Sequence, residues 1–143
     1  MIRPLLSIAL LAASAGCGSI PADPDGTLER VRAEGRYRVG LIASSNRPLA
    51  PERAQALLRR LSVATGARAS IEPGPAEPLL ARLEEGELDL VVGEFAEPSP
   101  WASKVTITEP IAANGPTALA AAARNGENAW IALLFREART VAE

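Results

Sequence analysis

Apolar positions recur along this chain in two rhythms that trade places. From Arg36 to Ala43, Tyr37, Val39 and Leu41 alternate with Arg36, Arg38 and Gly40, and Ile42 adds an apolar end. A period of two predicts a strand. Pro51 suits a first helical turn, and Ala54, Leu57, Leu58, Leu61 and Ala64 then follow the i, i+3, i+4, i+7 spacing of one helix face up to Gly66. Arg68 to Glu72 alternates again, with Ala69 and Ile71 on one side, and Pro73-Gly74-Pro75 predicts a turn. Leu79, Leu80 and Leu83 mark a second short helix stopped at Gly86. The run Leu88-Asp89-Leu90-Val91-Val92 is nearly all apolar, as expected of a strand covered on both faces. Ahead of these elements, Asp25 and Thr27 are cap candidates for a helix from Leu28 to Glu34, with Gly35 as its stop.

Strand, helix, strand, helix, strand, joined by short loops, predicts an α/β fold: one doubly wound, mainly parallel sheet flanked by helices. After Gly93 the pattern loosens. Lys104 to Thr108 is a short strand candidate, and the alanine-rich Thr117 to Arg124 fits either a strand or a helix. Asn125-Gly126 turns the chain, and Trp130, Ile131, Leu134, Ala138 and Val141 form a helical stripe in which Trp130 reads as core. A length of 143 residues with 48% hydrophobic content suits a single core.

The first residues follow a different logic. Arg3 gives a positive start, Leu5 to Ala13 is apolar except for Ser7, and Ser14-Ala15-Gly16 leads into Cys17. That is the three-part layout of a secretory signal, and the apolar run is about half of what a spanning helix needs. Ala15-Gly16-Cys17 resembles the bacterial lipobox, with Ser14 where that motif usually carries Leu. The resemblance implies cleavage after residue 16, lipidation of Cys17, and a periplasmic body anchored to the cell envelope. Gly18 after the Cys, by likeness to enterobacterial sorting, favours the outer membrane. Ordinary secretory cleavage beside a chance Cys is the alternative, but an exported thiol without a partner is reactive, which favours the lipid. The expected organisation is a signal peptide over 1–16, a flexible tether rich in Pro, Gly and Asp over 17–26, and one lobe over 27–143.

Composition narrows the chemistry. The absence of His removes the usual general base and zinc ligand and any Ser-His-Asp triad. The single Cys cannot form an internal disulfide. Net charge is −2, with no basic stripe and no interleaved aromatics, which argues against nucleic acid. No two carboxylates have the setting of a glycosidase pair. The expectation is a non-enzymatic protein with no metal and no cofactor.

Several stretches are similar to the first lobe of the family 3 extracellular solute-binding proteins, the type 2 periplasmic binding fold. Thr27 to Gly40 resembles the family's opening helix and strand, and Leu79 to Gly93 its second helix and third strand. Lys104-Val105 and Thr108-Glu109-Pro110 resemble the segment that begins the next strand, and Gly126-Glu127-Asn128-Ala129-Trp130 the start of the late helices. In that family the ligand lies in a cleft between two lobes joined by a hinge. Here the chain passes from Pro110 to Glu143 with no room for a second lobe, so the resemblance implies a one-lobe relative. Amino-acid-binding members place an Arg after the third strand to grip the ligand carboxylate. Alignment puts Trp101 at that position, and Leu49 follows Pro48 where the family has an aromatic.

Ligands of doubly wound sheets approach the carboxyl ends of the strands. Candidate binding residues are therefore Ser44, Asn46 and Arg47 after the first strand, Glu94 after the third, and Trp101 as a stacking surface. Ser44 and Asn46 also suit a plain solvated turn. The functional expectation is a transporter-associated receptor or sensor of a small molecule with a degenerate amino-acid site. The alternative is an envelope protein-interaction module with no small-molecule ligand.

Overall fold

A computed structural model describes residues 22–43 and 48–143. Helix α1 (Thr27–Glu34) is followed by β1 (Arg36–Ile42), α2 (Pro51–Thr65), β2 (Arg68–Gly74), α3 (Ala76–Glu84) and β3 (Leu90–Ala96). Then come β4 (Val105–Ile107), β5 (Ala112–Asn114), β6 (Thr117–Arg124) and α4 (Asn128–Ala142). The strands form one sheet in the order β2-β1-β3-β6-β4, with β5 also on β6. β1 pairs in parallel with β2 and β3, and β6 runs antiparallel to β3, β4 and β5. Only β6 is therefore reversed, and the mainly parallel, doubly wound α/β expectation describes the sheet.

Each face of the sheet carries its own core. Val39, Leu90, Val92, Leu119 and Ala121 face α2 and α4, where they meet Leu57, Leu61, Trp130 and Leu134. Val91, Phe95, Ala120 and Ala122 face α3 through Leu79, Leu80 and Leu83. Each buried Leu contributes about 1.5–3 kcal/mol relative to exposure. The alanines of β6 are buried on both sides, which explains why no alternation marks that segment as a strand: small side chains fill both faces of a covered strand.

Three boundaries depart from the sequence pattern. Pro73-Gly74-Pro75 does not turn at Pro73, because β2 continues to Gly74 with Leu41 opposite Pro73 and Ile42 opposite Gly74. Arg68 N–H donates to Gly35 O, and Gly74 O accepts from Ala43 N–H. Alternation along the strand therefore directs Pro73 outward at the sheet edge, where its missing N–H costs no ladder bond. β3 begins at Leu90 rather than Leu88 and runs past Gly93 to Ala96, paired residue for residue with β6. β5 has no pattern of its own. It exists because Ile111 N–H reaches Leu119 O and β6 offers an edge to pair with.

Between β4 and β5, Thr108 keeps the ladder continuous. Its backbone N–H donates to Ala121 O at 2.8 Å, and its hydroxyl accepts from Ala121 N–H at 3.1 Å. Among the described residues, every buried side-chain polar atom has a hydrogen-bond partner. No helix among them is long and apolar enough to cross a membrane.

Candidate ligand-binding site

The chain winds from β1 through α2 to the sheet edge, then back through α3 to β3 on the other side of β1. The two crossover helices lie on opposite faces. The carboxyl ends of β1 and β3 thus form a switch point, where no crossover fills the crevice. A cavity of about 390 Å³ opens there. Ile42 and Ala43 end β1 at its floor, Gly93 and Glu94 enter from β3, and Leu49, Pro51, Ala54 and Leu58 come from the start of α2. Its size lies within the range of small-molecule sites.

Local geometry shapes this crevice. A Cβ at Gly93 would lie 2.4 Å from Cβ of Ile42, so only glycine permits this approach of β3 to β1. Ala50 takes a left-handed conformation, φ 43° and ψ 56°, immediately before Pro51 opens α2. Such a backbone costs about 1–2 kcal/mol for a residue with a Cβ. At this turn Leu49 N–H donates to Glu94 Oε1 at 3.0 Å, joining the loop to β3 across the crevice. The charged member of the described lining is an acid, Glu94, and none of these residues is a cation.

The sequence-derived candidates fall in different places. Glu94 lines the cavity and is fixed by Leu49. Trp101 is half-buried against the α3-side core, with Lys104 Nζ 5.1 Å from its ring centroid, and does not line the cavity. Ser44, Asn46, Arg47 and Cys17 lie outside the described residues. Sequence reasoning missed the apolar wall: Leu41 and Leu58 follow the same periodicity as core residues, Leu119 lies in an alanine run without alternation, and only the fold brings them around one cavity.

The opposite end of the sheet is polar. Asp89, 4% exposed, accepts from Arg38 N–H at 2.8 Å and from the Arg38 and Arg30 guanidiniums. With Glu127 and Arg124 these residues surround a smaller cavity of about 140 Å³. Its ionic groups are matched to one another, as in a structural ion cluster. No group of three or more metal-ligating side chains occurs among the described residues.

No protein-family model matches the chain, and no curated protein matches its sequence. Among solved structures it is similar to the arginine-bound form of domain 1 from TmArgBP, with TM-score 0.62 and 15% identity, covering 78% of this chain and 97% of that one. It is equally similar to a point mutant of that domain in the same arginine-bound form, with TM-score 0.63 and 15% identity, covering 79% and 96%. The fold is that of a single lobe of a periplasmic binding protein.

Proposed function

We propose that this chain is a single-lobe solute receptor on an exported lipoprotein, and that the crevice at the ends of β1 and β3 is its binding site. The observation that carries this reading is an apolar cavity of about 390 Å³ at the topological switch point. The arginine-bound form of TmArgBP domain 1 supports the idea that a lobe of this fold holds a ligand without its second half. The described lining favours a different solute from an amino acid. Leu41, Leu49, Leu58 and Leu119 suit an apolar body. The solute class is therefore an apolar molecule.

Thermal shift of the chain against a panel of apolar solutes tests this. A ligand at a hundred times its Kd adds about 2.7 kcal/mol of stability. Gln55 is exposed on the cavity rim, so Gln55→Trp should fill the crevice without disturbing the core and abolish the shift. If no solute raises Tm, or if Gln55→Trp leaves the shift intact, the crevice is not the site. Capture of an envelope protein by the same face, lost in Gln55→Trp, would favour the interaction-module reading. Anchoring is tested separately: Cys17→Ser should release the protein from membranes with its thermal melt unchanged.

A further inference from the structure

Four orphan N–H groups open every α-helix, and N-cap side chains usually satisfy some of them. Neither α1 nor α4 has such a cap from its own N-cap residue, Gly26 or Glu127. The upstream segment supplies the acceptors. Asp23 Oδ2 accepts from Leu28 N–H at 2.9 Å, while its Oδ1 accepts from Ala129 N–H at 2.7 Å and Trp130 N–H at 3.1 Å. One carboxylate thus closes the first turns of two helices, where the helix dipoles also favour negative charge. Glu127 reciprocates, accepting from Asp25 N–H and Thr27 N–H, each at 3.0 Å. Ala129 N–H also reaches Ala22 O, and Arg124 pairs with Asp25.

All of these groups gather where β6 ends and α1 and α4 begin. The cavity lies at the other end of the sheet, about 20 Å away along a seven-residue strand. We infer that Ala22–Gly26 is a clasp that fixes which end of the domain faces the upstream chain, keeping the binding crevice at the far end. With Cys17 anchored, which rests on the reading above, the chain from Cys17 to Ala22 spans at most about 18 Å. The domain then stands close to the bilayer with its crevice turned away. Solute and partner reach the crevice from the aqueous side, and a transporter in the same membrane meets the clasp end instead.

Two measurements on the full chain decide this. Amide hydrogen exchange reads the clasp alone: Leu28, Ala129 and Trp130 should be protected in the wild type and exchange about tenfold faster in Asp23→Ala. Unchanged protection would overturn the clasp whether or not the protein is anchored. Energy transfer from a label to headgroup acceptors in phosphatidylcholine vesicles reads the orientation of the lipidated protein. A label at Arg36→Cys, where β1 begins, should transfer several-fold more than one at Asn114→Cys beside the crevice, and Asp23→Ala should narrow the difference. Equal transfer from both sites would overturn the orientation. A protein that does not partition to the vesicles would overturn the anchor while exchange still decides the clasp.

Discussion

Asp89 and Trp130 meet through the main chain: indole Nε1 donates to the Asp89 carbonyl at 2.7 Å, while the Asp89 carboxylate turns to Arg38 and Arg30. A residue inside an apolar run thereby ties α1, β1, β3 and α4 together. In Asp89→Ala, Arg38 N–H loses its acceptor, the Arg38 guanidinium loses its paired carboxylate, and Arg30 keeps only Glu34. The expected loss is about 2–3 kcal/mol, since both arginines keep some solvent. Asp89→Asn should lose less, because one acceptor oxygen remains. Urea denaturation of the two variants gives the comparison.

Glu127 should make folding acid-sensitive. Burial alone would raise its pKa, but hydrogen bonds from Thr27 and from the backbone of Asp25, with the nearby charge of Arg124, outweigh it and hold the carboxyl below its ordinary value. A group depressed in the folded state adds stability above its unfolded pKa, and loses that contribution as pH falls through the folded value. Glu127→Gln should therefore flatten the acid limb of the stability profile. An equally steep limb in the variant would assign the acid sensitivity to other carboxylates.

Val92 is fully buried in β3, between β1 and β6. An aspartate there would lie without a partner among Leu90, Leu119 and Ala121, at a cost of several kcal/mol against a total of about 5–15. Val92→Asp should not fold. Circular dichroism and a missing cooperative melt would record it.

Free amino acids should bind no tighter than about millimolar. The described crevice offers no guanidinium for the carboxylate, which removes about 1.5–3 kcal/mol. Calorimetry with a panel of amino acids reads this directly, and a micromolar isotherm of unit stoichiometry would contradict it.

Elements with one buried face were legible in the sequence, because their periodicity is the imprint of that face. α2 and α4 announce themselves through Leu57, Leu61, Trp130 and Leu134. β6 does not, since a strand buried on both faces has no alternation to display. Pro73 misled because a proline forbids pairing only on its N–H side, and which side faces outward depends on the parity of the whole strand. Asp23 reads as part of a loose polar tether, but its worth lies in Ala129 and Trp130, more than a hundred residues away. The crevice at the strand ends is lined by Glu94, singled out from the sequence. Its apolar wall was hidden because a leucine facing a cavity and a leucine facing a core obey the same rhythm.

β5 and β6 are joined by only Gly115 and Pro116, with Asn114 paired to Thr117 and Gly115 at φ 61°, as a tight hairpin requires. This hairpin keeps the chain on the same sheet, so that β6 pairs with β3, β4 and β5 within one lobe. Under the function proposed above, a solute in the crevice would be read at its rim, through a surface that it completes or a loop that it stiffens. Such a signal would be a change in recognition at constant shape.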